Sequence, residues 1–147
     1  MINWAVKKFD ELSLHELYAI LRLRSEVFVV EQNCVFQDMD NKDQSSYHLM
    51  GWQNNILIAY TRLIPPGISY EFSSIGRVVT SSSARGTGIG KLLMEKSIEE
   101  VENLFGKTPI KIGAQLYLRE FYTSFGFRQT GDIYVEDGID HIEMIRQ

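Results

Sequence analysis

The sequence predicts a single α/β domain over residues 1–147, built as a mixed β-sheet flanked by helices. Three observations carry this reading. Segments of period two and period 3.6 follow one another in the order β-α-β-β-β-α-β-α-β-β. A β-branched run at 75–80 passes through a glycine cluster into a long amphipathic segment and then another buried strand. That strand–helix–strand unit implies parallel pairing, whereas the hairpins elsewhere imply antiparallel pairing. Finally, 147 residues with 44% hydrophobic and 23% charged side chains suffice for one core and leave little room for a second.

The elements follow in order. Residues 2–9 alternate, with Ile2, Trp4 and Val6 on one face, as in a strand. Ser13-Leu14-His15-Glu16 has the form of a capping box. Leu14, Leu17, Tyr18, Leu21 and Phe28 mark the apolar stripe of a helix over about 14–28, with Arg22 and Arg24 among its polar positions. Residues 31–46 turn polar and irregular, and read as an ordered loop with Cys34, Val35, Phe36 and Met39 as apolar anchors. Runs at 47–53 and 56–64 flank Asn54-Asn55, a pair that tolerates the left-handed backbone of a hairpin turn. Pro65-Pro66-Gly67 ends the second strand. After the strand at 75–80, Leu92, Leu93, Ser97, Val101 and Leu104 set a helix over 88–104, stopped by Gly106 and Pro109. Ile110, Ile112 and Ala114 make a buried strand. Residues 116–125 make a short helix closed by Gly126, and 129–135 with 139–146 make a last strand pair around Asp137-Gly138.

Charge and cysteine content exclude several functions. Fifteen Lys and Arg against nineteen Asp and Glu give a net charge of −4, which lacks the basic footprint of a nucleic-acid or anionic-membrane binder. Cys34 is the only cysteine, so an internal disulfide and a multi-cysteine zinc cage are both excluded. No His-Glu-x-x-His spacing points to a metal either. The first residues lack a basic stretch followed by an apolar one, and no apolar run approaches the roughly 18 residues of a membrane span. A cytoplasmic location is expected.

Arg85-Gly86-Thr87-Gly88-Ile89-Gly90-Lys91 opens the long helix. Glycine admits positive φ and close approach of a ligand, and a helix start offers unpaired N–H groups to an anion. A tight turn needed only for packing is the plainer alternative. A dinucleotide fingerprint would need glycine at Lys91. A P-loop would need glycine at Arg85 and Ser or Thr at Leu92. Both fail. The pattern present is Arg-x-x-Gly-x-Gly, and after the next strand comes Tyr122-Thr123-Ser124-Phe125-Gly126-Phe127. These two motifs, in this order, resemble the GNAT superfamily of N-acetyltransferases. The stretch Val27-Phe28-Val29-Val30-Glu31-Gln32-Asn33-Cys34, followed by Asp38, Asp40 and His48, is similar to the ElaA-like branch, as is Gly138-Ile139-Asp140-His141-Ile142.

The resemblance implies the acyl-CoA N-acyltransferase fold and acetyl-CoA as cosubstrate; with no ligand spacing for one, no metal is expected. It implies a pyrophosphate loop at Arg85, Gly86, Thr87, Gly88, Ile89, Gly90 and Lys91. The amides of Val78, Val79 and Thr80 are placed against pantetheine and thioester. Gln115 stands where many members carry Asn, seven residues before the tyrosine. Transfer is then direct, from acetyl-CoA to a primary amine of a small molecule or peptide. Tyr122 protonates the departing thiolate, since a phenol stays protonated at neutral pH; packing and a hydrogen bond to pantetheine form its plainer role. No base stands out: Glu31, Asp38, Asp40, His48, Glu71 and His141 have the chemistry, and a water is an alternative. The acidic run at 38–43 suits a cationic amine, and Arg77 either faces the acceptor or forms an ion pair. Cys34 with His48 or His141 would suggest a covalent route, against which the family resemblance argues. A coenzyme A-binding sensor without catalysis is the competing reading. A homodimer is compatible with the sequence.

Overall fold

A computed structural model describes residues 1–147. Eight strands and three α-helices follow in the order β1 (Asn3–Lys8), α1 (Leu14–Arg24), β2 (Tyr47–Gln53), β3 (Ile56–Ile64), β4 (Ser74–Thr80), α2 (Ile89–Phe105), β5 (Ile110–Gln115), α3 (Arg119–Thr123), β6 (Phe127–Gln129), β7 (Tyr134–Glu136) and β8 (Ile139–Arg146). No helix is long and apolar enough to cross a membrane.

The α/β architecture agrees with the expectation, but the sheet is divided. Strands β1-β2-β3-β4 form one antiparallel sheet, and β5, β6 and β7 all pair with β8 in a second. The two touch through one parallel bridge, Ser73 to Ile110, where the Lys111 amide donates to the Ser73 carbonyl at 3.0 Å. The expected parallel ladder between β4 and β5 therefore does not extend beyond its first rung. The cause lies in β4. Its register against β3 shifts between Tyr60 and Arg62, and Arg77 at this irregularity has φ +48°. A bulge bends and twists its strand, so β4 leaves β5 and keeps one edge unpaired.

Helices cover both faces of the first sheet. Ile20, Leu23 and Val27 pack on Met50, Leu57, Tyr60 and Val79, whereas Leu93, Met94 and Val101 of α2 pack on Leu49, Leu63 and Ile75. Covered on both sides, β3 is buried from Leu57 to Ile64, which explains an apolar run interrupted only by Thr61 and Arg62. Thr61 and Ser97 share a hydroxyl hydrogen bond of 2.8 Å across the β3–α2 contact.

Three local expectations are corrected. The Ser13 capping box forms, with the Glu16 amide donating to Ser13 Oγ at 3.1 Å and the Ser13 amide to Glu16 Oε1 at 2.8 Å. The buried face of the helix, however, is Ile20, Leu23, Arg24 and Val27, while Leu14 and Tyr18 are exposed. An arginine in the stripe hid its i, i+3, i+4, i+7 spacing. Past Arg24 the helix widens into a π-helical stretch, Ser25–Glu31. The following loop is held chiefly by charge: of the expected apolar anchors Cys34 and Phe36 are half-buried, but Val35 is fully exposed and Met39 is exposed, whereas Asp38 and Asp43 are buried. Finally, the expected strand at 129–135 is two short strands, β6 and β7, separated at Thr130–Ile133, where Gly131 and Asp132 disfavour strand geometry.

Candidate active site

The space opened between β4 and β5 is a cleft of about 460 Å³. Gly76–Thr80 of β4 and Ile112–Gln115 of β5 form its sides. The π-helical stretch with the loop after it and the β7–β8 turn complete its lining.

At its mouth the glycine loop has the geometry of an anion site. Gly86 and Gly88 take φ +83° and +82°, and a Cβ on either would meet nothing within 4 Å. Handedness therefore requires glycine there, and the space in front is free for a ligand. Gly90 differs: it is helical, with room for a Cβ 3.8 Å from Phe121 Cζ. The first helical hydrogen bond runs from the Leu92 amide to the Gly88 carbonyl at 3.2 Å, leaving the amides of Ile89, Gly90 and Lys91 without helical acceptors. Arg85 donates to the Thr80 carbonyl at 3.1 Å and pairs with Glu31 across the cleft mouth. Open glycines, free amides at the start of a 17-residue helix and an unpaired strand edge suit a long, diphosphate-bearing thioester such as acetyl-CoA. Of the loop residues, the Ile89 side chain belongs to the core, 4% exposed, so only its backbone is available.

Tyr122 lies at the inner wall. Its ring meets Phe121 and Phe127 edge-on, at 5.2 and 6.1 Å between centroids. Burial, reinforced by Tyr117, pushes its hydroxyl above the ordinary phenol range, so it remains a proton donor at neutral pH. Among its protein neighbours the hydroxyl has no hydrogen-bond partner, and the residue lines the cleft. Gln115 lines it too, its Nε2 donating to Gln32 Oε1 at 3.5 Å.

The cleft gathers Arg77, Val78, Val79, Thr80, Arg85, Gly90, Gln115, Tyr122, Glu31 and His141. It does not gather Asp38, Asp40 or His48. Arg24, wholly buried, donates from Nε to Asp38 at 2.8 Å and from Nη1 to Asp43 at 2.7 Å. Arg62 bonds Asp40 at 2.7 and 2.8 Å and Asp43 at 2.9 Å. Burial alone would raise Asp40 and Asp43. The guanidinium of Arg62 beside Asp40, and those of Arg24 and Arg62 beside Asp43, outweigh it and hold both carboxyls below the usual range. His48 is 1% exposed. Its Nε2 donates to the Asp43 carbonyl at 2.9 Å, so Nδ1 accepts from the Tyr60 hydroxyl at 2.6 Å. Burial and the nearby arginines lower its pKa and keep it neutral. The acidic run is therefore the ionic anchor of a loop, and Asp38, Asp40 and His48, expected at the acceptor, lie outside the cleft lining. Arg77 lines the cleft but is held by Asp38 at 2.7 Å.

Sequence reasoning missed Glu136 and Asp137, which line the cleft together with Ile139 and His141. The signal was present in the Asp137-Gly138 turn. A two-residue turn there fixes Glu136 opposite Ile139 and Tyr134 opposite His141, as observed.

The model of the "Acetyltransferase (GNAT) domain" family matches residues 12–147. Protein ElaA of Escherichia coli K12 is 44% identical, the alignment covering 100% of this chain and 97% of that protein. An acyl-CoA N-acyltransferase from Pseudomonas aeruginosa superposes over 100% of both chains with a TM-score of 0.96 and 44% identity. A GNAT acetyltransferase from Elizabethkingia anophelis with acetyl-CoA bound shares the fold at a TM-score of 0.66 and 17% identity, over 99% of this chain and 97% of its own. With a split sheet, a glycine loop at its mouth and these relatives, the chain belongs to the GNAT acetyltransferase family.

Proposed function

We propose that this acetyltransferase acts on a primary amine of a small molecule or peptide by direct attack, with Tyr122 protonating the coenzyme A thiolate. Acetyl-CoA supplies the activated acetyl thioester. The amides of Ile89, Gly90 and Lys91 would take the diphosphate in front of Gly86 and Gly88. The amides of Val78 and Thr80 on the free edge of β4 would orient the pantetheine arm and donate to the developing oxyanion, a role suited to groups fixed before the reaction, while Val79 between them is paired with Tyr60 on the β3 side. Gln115 reaches the same space with a side-chain amide. The lone cysteine suits a reducing cytoplasm.

The observation that carries the reading is the Tyr122 hydroxyl, protonated and without a protein partner in a cleft bounded by an unpaired strand edge. A residue kept only for packing needs no hydroxyl there. The test is thiol release from acetyl-CoA by the purified chain with a panel of primary amines. Amine-dependent release supports the reading, and binding of acetyl-CoA without release for any amine overturns it.

A further inference from the structure

We infer that Glu136 and His141 form the site for the acceptor's ammonium group, and that His141 Nε2 is the base that takes its proton. This rests on the transferase reading and names its substrate class: amines that arrive protonated.

His141 sits opposite Gln115 on β5 and opposite Tyr134 on β7. Directly paired residues present their side chains on one face, so Gln115 and His141 form adjacent positions of one row, and both line the cleft that Tyr122 lines. The imidazole is fixed in orientation. Nδ1 lies 2.7 Å from the Ile139 carbonyl. A carbonyl only accepts, so Nδ1 carries the hydrogen, and in the neutral ring Nε2 holds a lone pair. The Tyr134 ring stacks on the imidazole, 5.7 Å between centroids and 29° between planes. The Cys34 thiol donates to the Asp137 carbonyl at 3.2 Å and ties the turn to the loop after the π-helical stretch.

Nε2 faces Glu136 Oε2 at 3.7 Å. Both atoms accept, and nothing in the protein donates between them. A cation bearing N–H groups completes the pair. A protonated primary amine has three such groups, enough to bond the carboxylate and Nε2 together. The placement also gives direction, since the Glu136 side chain is 60% exposed and that of His141 only 10%. An ammonium would be met by Glu136 and passed inward to His141. Of the other charged groups at the cleft, Glu31 holds Arg85 and Arg77 holds Asp38 and Asp40. The Asp137 carboxylate, next to Glu136 in the same turn, adds to the negative charge there, but Glu136 is the one within 3.7 Å of Nε2.

The step balances. The ammonium loses one proton to Nε2, giving a neutral amine and an imidazolium beside the Glu136 carboxylate. The amine's lone pair forms the C–N bond, the C–S bond breaks, and the sulfur takes a proton from Tyr122. The excess proton on the new amide nitrogen restores the Tyr122 phenol, and the imidazolium proton leaves to solvent.

The experiment compares wild type with His141→Asn and Glu136→Gln. The substrates are a primary alkylamine active with wild type and its β,β,β-trifluorinated analogue, largely unprotonated in a mildly alkaline buffer. Asparagine keeps a nitrogen near the position of Nδ1 and deletes Nε2. His141→Asn should lower kcat/KM by about a hundredfold for the alkylamine and far less for the fluorinated amine. Glu136→Gln should raise the alkylamine KM and weaken its calorimetric affinity for the coenzyme A complex. Acetyl-CoA affinity and melting temperature should stay near wild type in both. Equal losses with the two amines, no loss, or a loss of acetyl-CoA affinity overturns the assignment of the base. An unchanged alkylamine KM and affinity in Glu136→Gln overturns the ammonium site. Wild type that releases no thiol with any amine overturns the transferase reading itself, a separate result.

Discussion

Arg77 and Asp38 are joined twice, Arg77 Nε to Asp38 Oδ1 and Arg77 Nη2 to the Asp38 carbonyl, each at 2.7 Å. Arg77 is the left-handed residue of the β4 bulge, and Asp38 is also held by the buried Arg24. One carboxylate thus links the α1 core to the strand that opens the cleft. Removing one member of a buried charge pair leaves the other uncompensated, at a cost of about 3–5 kcal/mol. Asp38→Asn leaves Arg24 paired with Asp43 and Arg77 with Asp40, so urea unfolding should show a loss below this range. The double variant Asp38→Asn, Asp40→Asn should lower the melting temperature further. A double variant of wild-type stability and raised acceptor KM would restore these carboxylates to substrate binding.

Acid should weaken the fold in two stages. His48 has a folded pKa below its ordinary 6.5, so the unfolded chain binds its proton first, and stability is lost as pH falls below about 6.5. Asp40 and Asp43 are held below their ordinary 3.8; their contribution is present above that value and is lost as pH falls below it. His48→Gln, whose amide can still donate to the Asp43 carbonyl, should lack the first stage. Melting temperatures across this pH range check both, and a wild-type curve flat from neutral to pH about 5 excludes the His48 contribution.

The glycines of the loop should separate by role. Gly88→Ala places a side chain at φ +82° and should cost about 1–2 kcal/mol of stability. Gly90→Ala should be neutral or stabilising by about 0.5–1 kcal/mol, since alanine favours a helix and its Cβ has room. Gly88→Asp adds a carboxylate where the diphosphate should lie, and should weaken acetyl-CoA at least about tenfold by calorimetry, ~1.4 kcal/mol. Equal affinity in that variant would remove the diphosphate from this loop.

Tyr122→Phe isolates the hydroxyl from the ring. Because that hydroxyl has no protein hydrogen bond to lose, melting temperature and acetyl-CoA affinity should barely move. Turnover should drop by about 10²–10⁴, the range for a positioned general acid. The loss should shrink with an acyl donor whose thiol is more acidic. Stopped-flow thiol release with both donors reads the effect, and wild-type turnover where chemistry limits the rate would return Tyr122 to packing.

Features set by a few neighbouring residues were legible in the sequence. The Ser13–Glu16 capping box, the positive φ of Asn54, Asn55, Gly86 and Gly88, and the periodicity of α2 are local demands of backbone handedness and helical spacing. Chain order likewise placed the glycine loop before Tyr122. What the tertiary structure decided concerns partners distant in sequence. Arg24 looked like a polar helix position until Asp38 and Asp43, 14 and 19 residues away, gave its charge a place to be buried. The acidic run looked like a lure for amines because three arginines from three other elements were not visible beside it. The cleft exists because a bulge at Arg77 turns β4 from β5, and His141 meets Glu136 only across a hairpin. Charge compensation and strand divergence depend on distances through space, and period and motif carry no such distances.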